Sequence, residues 1–361
     1  MPELYNIMCL ADRLVRLPKQ EKELLMKRVG IVGCGGIAEV HASVLKQLKE
    51  AELCAFADCE KTRAERFADT YGGGNAGAYE SLEEMLAKAA PEVIHICTPH
   101  YLHVPMAVEC LNRGCNVFME KPPAISAEQF TGLEQALGRS AGSLGICFQN
   151  RYNQSTLKVD ELLSKKCLGE ILGARAFVTW NRTADYYTES GWRGTWDKEG
   201  GGALINQAIH TLDLVLRWMG TPVRVEAAMS NHHLKGIVQV EDTVEAFLEF
   251  EKGKRAVFYA TTAYAANPDA LIELACEKGC IRLEGERVWV RYNNGAEESY
   301  YLSRTEGFGK AYWGSGHAAC IADFYRCLEG KEQYGNDLFS VQNTFKVMVR
   351  IYKEALREWN R

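Results

Sequence analysis

The chain has 361 residues, enough for about two domains and for a full hydrophobic core that needs no disulfide or metal staple. Its 42 basic and 47 acidic residues leave a net charge of −5, which argues against the basic footprint of a nucleic-acid binder or a membrane-surface protein. No apolar run approaches the ~18 residues of a membrane span, and 47% hydrophobic with 25% charged residues is an ordinary globular composition.

Residues 1–25 are of mixed polarity and lack both the cationic start and the apolar stretch of a signal peptide. Met26-Lys27-Arg28 then opens into a β-run. The segment reads either as an appended helix or as sequence upstream of a natural start at Met26, and the second is preferred. From residue 26 to 148, apolar runs at Val29–Val32, Leu53–Ala57, Val93–Cys97, Val117–Met119 and Leu144–Phe148 read as buried parallel strands. They alternate with helical patterns at Ala38–Lys49, Arg63–Tyr71, Leu82–Ala89, Val104–Asn112 and Ala127–Leu137. Ser81 and Ser126, the latter followed by Gln129, are predicted N-caps. Such a βαβ series predicts an α/β fold, a Rossmann doubly wound parallel sheet.

Residues 149–361 follow a different pattern. A helix at Leu157–Lys165, a strand at Ile171–Trp180, an aromatic loop and a helix at Ala203–Met219 precede short β-runs over residues 223–302. Asn293-Asn294-Gly295 marks a hairpin, and helices at Ala318–Leu328 and Val341–Trp359 close the chain. This predicts a C-terminal α+β domain on a largely antiparallel open sheet.

The strongest local signal is Gly33-Cys34-Gly35-Gly36-Ile37-Ala38, a GxGxxA turn directly between strand and helix. Gly33 permits the tight turn, Gly35 admits a pyrophosphate close to the backbone, and Ala38 keeps the helix near the strand. Asp58 stands 20 residues beyond Ala38 at the end of a strand. There it would accept bonds from ribose hydroxyls and repel a 2′-phosphate, favouring NAD over NADP; it would equally serve as a helix N-cap. Thr98-Pro99-His100 and Glu120-Lys121-Pro122-Pro123 end two further strands, at the crevice where ligands bind in such sheets. A lysine beside an oxidised nicotinamide has its pKa lowered, which suits bonding to a substrate alcohol; taken alone, it reads as a solvated charge. In Gly200-Gly201-Gly202-Ala203-Leu204-Ile205-Asn206-Gln207-Ala208-Ile209-His210, the spacing puts Asn206, His210 and Asp213 on one helix face. His210 reads as either a hydrogen-bonded core residue or a ligand-facing one.

Taken together, GCGGIA, Asp58, Thr98-Pro99, Glu120-Lys121-Pro122 and GGGxLxxxxxH resemble the glucose–fructose oxidoreductase/inositol dehydrogenase (Gfo/Idh/MocA) family, from residue 27 to about 350. The resemblance implies that Lys121 and His210 are catalytic and act on a substrate hydroxyl. Many members carry Asp where this chain has Asn206, and Asn where it has His100; an amide does not ionise, so Asn206 is expected to position a hydroxyl or the nicotinamide side. Cofactor contacts are expected from Gly33, Gly35, Gly36, Ile37, Asp58, Thr98, Pro99, His103, Glu120 and Lys121. The loop holding Trp180, Arg182, Tyr186, Tyr187, Trp192, Arg193 and Trp196 suits stacking on a sugar face with hydroxyls held by Arg; it would also serve as a packed loop closing the sheet. Substrate contacts are expected from Lys121, Arg151, Tyr152, Tyr187, Trp192, Arg193, Asn206 and His210.

The expected function is NAD-dependent oxidation of a ring hydroxyl in a sugar, glycoside or cyclitol, with C3 of a glucoside as one candidate. The alternative is a glycosidase working by transient NAD-dependent oxidation and elimination; an idle NAD-binding regulator is the third reading. The thirteen cysteines are scattered, with no CxxC, and Cys276 with Cys280 lacks a second half-site. Free thiols in a reducing cytoplasm and no metal site are therefore expected. No nucleic-acid or membrane partner is expected, and a homodimer or homotetramer is.

Overall fold

The computed structural model describes residues 26–302, 316–328, 330 and 334–359. The expected extension, residues 1–25, lies outside them. Six strands, β1 (Lys27–Val32), β2 (Ala51–Ala57), β3 (Gly77–Tyr79), β4 (Val93–Ile96), β5 (Asn116–Glu120) and β6 (Leu144–Cys147), form a sheet in the order β3-β2-β1-β4-β5-β6. Every pairing is parallel. The strands are largely apolar through their centres because helices cover both faces. These are α1 (Gly36–Leu45), α2 (Lys61–Tyr71), α3 (Leu82–Lys88), α4 (His100–Asn112) and α5 (Ala127–Arg139). The predicted caps are made: the Ser81 hydroxyl accepts from the Glu84 N–H at 3.1 Å and Ser126 from Gln129 at 3.2 Å. Sequence reading missed β3, a three-residue edge strand too short for a period, and began α4 four residues late.

The order of the sheet reverses between β1 and β4, and the carboxyl ends of β1, β4 and β5 open onto one crevice there. The chain then runs through α6 (Gln154–Ser164), β7 (Ile171–Thr179), α7 (Ala184–Thr188), a π-helical turn at Ala203–Ala208 and α8 (Ile209–Met219). Strands β8 (Arg224–Ser230), β9 (Thr243–Glu249), β10 (Arg255–Thr261), β11 (Leu271–Cys276), β12 (Gly279–Glu284), β13 (Arg287–Tyr292) and β14 (Glu297–Tyr301) follow, then helices α9 (His317–Leu328) and α10 (Leu338–Trp359). With β7, these strands form a sheet ordered β14-β13-β12-β11-β7-β10-β9-β8, antiparallel except where β7 meets β10. The expected hairpin at Asn293–Gly295 joins β13 to β14, with Gly295 at φ +88°. In β10, Ala256, Phe258 and Ala260 are buried while Val257 between them is 48% exposed, so helices cover one face only. Phe130 of α5 stacks on Phe345 of α10 with centroids 4.4 Å apart, tying the helices of the parallel sheet to those of the second. The expected fold class therefore holds.

Candidate active site

A cavity of about 920 Å³ lies at the carboxyl ends of β1, β4 and β5, walled on its far side by α7, the π-helical turn and α8. At one end sits the glycine turn. Gly33 has φ +86°, and a Cβ there would lie 2.8 Å from the carbonyl carbon and oxygen of Cys97. Gly35 and Gly36 are different: a Cβ on either meets nothing within 4 Å, and both line the cavity. No side chain caps α1, so its first N–H groups and positive dipole end face open space. Such an arrangement could hold a pyrophosphate.

Asp58 follows β2 and lines the same end. Its carboxylate accepts from the Cys34 N–H at 2.8 Å and from the Glu60 N–H at 2.9 Å. It therefore locks the glycine turn to β2, and its oxygens keep lone pairs for a ribose. Between the phosphate end and the far wall, the buried Thr98 hydroxyl has no hydrogen-bond partner although it lines the cavity. An orphaned buried hydroxyl, open glycine positions and an uncapped helix together fit a bound dinucleotide. His103 bridges two strand-end loops: its ring nitrogens lie 3.0 Å from the Pro122 carbonyl and 2.9 Å from that of Thr98. Both polar atoms are thus spent on backbone, so His103 shapes the cofactor crevice by holding its loops together.

Lys121 emerges from the end of β5. Its Nζ donates to the Asn206 backbone oxygen at 2.9 Å and to Asn206 Oδ1 at 3.2 Å. Burial lowers its pKa, against the opposing charges of Glu120 and Glu199. Beneath it, buried Glu120 is 3.0 Å from His41 Nε2; His41 Nδ1 is 2.8 Å from His95 Nδ1, and His95 Nε2 is 3.0 Å from the Tyr325 hydroxyl. Burial would raise the Glu120 pKa, but the His41 bond and the positive charges around it outweigh that and lower it. His210, from the first turn of α8, is buried with its Nδ1 unpartnered, and burial followed by the Lys121 charge pushes its pKa down to about 3. It is a neutral imidazole at physiological pH.

The aromatic loop forms the outer wall. The Arg193 guanidinium lies 4.5 Å from the Tyr186 ring centroid and 4.6 Å from that of Trp192, and its buried Nε has no partner. Trp192 in turn packs 4.8 Å from His100. Trp180, Arg182 and Gln207 complete the wall. Clamped between rings, Arg193 offers its donors in a fixed direction at little entropic cost.

Three expected substrate contacts lie elsewhere. Arg151 is buried behind the cavity, bonded through two nitrogens to Asp213 at 2.7 and 2.6 Å, and also to Asn336 and Ser340. Tyr152 donates to Asp323 at 2.7 Å. Tyr187 is buried with Leu234, Val238 and Val240, and Trp196 bonds the Gln239 carbonyl at 2.9 Å. Asn206 and His210 do line the cavity, whereas Asp213, three residues beyond His210 in α8, does not and is held by Arg151 and Thr344. The π-helical turn that carries Asn206 is wider than an α-turn, and such turns collect at functional sites. Buried Glu241 fixes it by accepting from the Gly202 and Leu204 N–H groups at 2.9 and 3.0 Å. Sequence reading missed Glu199 altogether. It is a lone acid in a loop, buried to 0% exposure, and its carboxylate accepts from Asn206 Nδ2. Only the Glu-Gly-Gly-Gly run could have flagged it, as a polar residue held next to an exceptionally close-packed backbone.

An open glycine turn, a half-buried lysine and an aromatic wall in one cavity fit a nicotinamide-dependent oxidoreductase. Residues 27–144 match the model of an oxidoreductase family with an NAD-binding Rossmann fold, and residues 156–282 match the GFO/IDH/MocA C-terminal domain. The two matches span more than half of the chain, which belongs to the Gfo/Idh/MocA family of NAD-binding oxidoreductases. It is 29% identical over 259 residues to D-glucoside 3-dehydrogenase of Escherichia coli (strain K12), covering 66% of this chain and 71% of that one. It is 27% identical over 356 residues to the scyllo-inositol 2-dehydrogenase (NADP(+)) IolW of Bacillus subtilis (strain 168), covering 96% and 90%. The WlbA dehydrogenase of Bordetella pertussis, solved with NADH and UDP-GlcNAcA, superposes with a TM-score of 0.78 at 26% identity, over 91% of this chain and 96% of that one.

Proposed function

We propose that this protein oxidises a ring hydroxyl of a sugar, glycoside or cyclitol, and that Lys121 and His210 bind the reacting hydroxyl and handle its proton. NAD, when bound, accepts the hydride from the carbinol carbon. The observation that carries this reading is the Lys121–Asn206 pair. A neutral lysine amine has two N–H bonds, and Asn206 offers two acceptors, at 2.9 and 3.2 Å. With both used, the remaining lone pair is left to accept the hydroxyl proton, and the lowering of the lysine pKa by burial favours that neutral form. Neutral His210 lines the same cavity as Lys121, which supports a second bond to the same hydroxyl. Trp180, Tyr186 and Trp192 offer faces for the C–H side of a ring, and Arg193 offers donors to its oxygens.

We assign the cofactor preference to NAD rather than NADP because the Asp58 carboxylate stands at the ribose end of the crevice, where a 2′-phosphate would meet its charge. A homodimer or homotetramer is supported by the uncovered face of the second sheet, where Val257 and Leu172 are exposed and Phe177 packs 6.3 Å from Tyr259. Light scattering at the monomer mass of 40.4 kDa would overturn that assignment. A cytoplasmic setting is supported by free cysteines throughout the described residues; no described helix is long and apolar enough to cross a membrane.

The test is absorbance of NADH across a panel of pyranoses, alkyl and aryl glycosides and cyclitols. Net NADH formation with one of them supports the dehydrogenase; aglycone release without net NADH, or no turnover on any of them, counts against it.

A further inference from the structure

The site holds a second carboxylate that the proposed chemistry does not yet use. Glu199 sits just before the glycine run, at 0% exposure. One of its oxygens accepts from the Gly194 N–H and the other from Asn206 Nδ2. Asn206 also touches the Tyr186 hydroxyl at 3.4 Å, and its Oδ1 accepts from Lys121. A line of bonds therefore runs from Lys121 through one amide to a buried acid.

The direction of that line is fixed by chemistry. An ionised carboxylate only accepts, so the amide must turn its NH₂ toward Glu199 and its oxygen toward Lys121. Turned the other way, Asn206 would set an NH₂ against the lysine and an oxygen against a carboxylate. Burying a charge is costly, and a glutamine of the same shape would still accept from Gly194. Packing alone gives no reason for an acid here.

We propose that Glu199 is a positioning residue for proton transfer: acting through Asn206, it holds the amide oxygen on Lys121 and supplies next to the lysine the negative charge that an amide lacks. The inference rests on the reading of Lys121 as the group that meets the substrate hydroxyl. Protonated Glu199 becomes a donor and would turn the amide over, so its ionisation state sets the bond at Lys121. Burial raises its pKa to about 7, against the Gly194 and Asn206 bonds. The charged and titratable groups around it are Arg193 in its own loop, Glu241 ahead of β9, Lys121 after β5, His100 on α4, Tyr187 on α7 and Tyr352 on α10. Arg193 and Glu241 act on it in opposite senses.

Competitive labelling of the full chain with acetic anhydride, read at Lys121 by peptide mass spectrometry across pH, needs neither substrate nor cofactor. In Glu199→Gln the Lys121 pKa is expected to fall by about one unit. The double variant Glu199→Gln with Asn206→Asp exchanges amide and acid while keeping every bond direction toward Lys121, so the pKa should return. An unchanged Lys121 titration in Glu199→Gln overturns the inference, as does a double variant that behaves like the single one. Wild type supplies the same test if a variant does not fold: its Lys121 labelling curve should show a second inflection near pH 7, where Glu199 titrates, and a single simple titration contradicts the coupling. Turnover by Lys121→Ala is separate. An active Lys121→Ala with a shifted labelling curve rejects the proposed function and leaves the Glu199 coupling standing; an inactive one with an unshifted curve does the reverse.

Discussion

Arg151 and Asp213 are joined by two short hydrogen bonds, 2.7 Å from Nε and 2.6 Å from a terminal nitrogen, with both side chains buried. Asp213 also accepts from Thr344 at 2.6 Å, so one carboxylate links the end of β6, α8 and α10 directly behind the cavity. Removing one member of such a pair strands a buried charge. Asp213→Ala should therefore lower unfolding stability by about 3–5 kcal/mol, read from urea melts at pH 7. A loss below about 1 kcal/mol would mean that Arg151 finds another partner.

The glycine turn separates folding from cofactor binding. Gly35 has φ −95° and open space at its Cβ position, so Gly35→Ala should keep the thermal midpoint while weakening NADH affinity, because its methyl would enter the cavity. Gly33→Ala should do both kinds of damage, since φ +86° disfavours alanine and its Cβ would press on Cys97. Paired melting and NADH fluorescence titrations distinguish the two. Equal effects of both changes on the midpoint would contradict the assignment.

Asp58→Ala should narrow the preference for NAD over NADP by about tenfold or more, which is ~1.4 kcal/mol. It should also loosen the turn, because the Cys34 N–H loses its acceptor. Titrating both cofactors into both proteins checks this. A wild-type protein that binds NADP as well as NAD would remove the role given to Asp58.

Glu241 gives a pH signature. Burial raises its pKa to about 7, against the bonds from Leu204, Tyr352 and Gly202. A folded-state pKa above the unfolded value means that the folded protein binds the proton more tightly. Its contribution is thus fully present below the unfolded carboxylate pKa and is lost as pH rises through about 7. The stability of wild type relative to Glu241→Gln should fall between about pH 4.5 and 7 and then level. A difference that grows with pH would contradict the burial argument.

The sequence made legible those features whose signal is local. Strand, glycine turn and helix are consecutive at Val29–Ala38, and Lys121 and Thr98 follow strands whose apolar runs are unmistakable. Asp58 was found by counting along the chain from the turn. The remainder depends on contacts between distant segments. Arg151 is expected among the substrate contacts, and its withdrawal from the cavity is decided by Asp213, 62 positions away. Nothing in the composition of Ala203–Ala208 marks a π-helical turn, and nothing beside Asp213 in the sequence points to its pairing with Arg151. Glu199 carries no pattern of its own, and becomes visible only when the loop places it against Asn206.

The central claim, that a ring hydroxyl is oxidised at Lys121 and His210, is open to graded kinetic tests. Lys121→Ala should abolish turnover and leave NAD bound, while His210→Ala should slow it by about 10²–10⁴-fold. Most direct is the crystal structure of the complex with NADH and the sugar that gives turnover. The account predicts one ring hydroxyl within hydrogen-bond distance of both Lys121 Nζ and the His210 ring, its carbon facing nicotinamide C4, and the sugar face against Tyr186 or Trp192. A sugar bound with no hydroxyl at Lys121, or with its ring outside the aromatic wall, would contradict it.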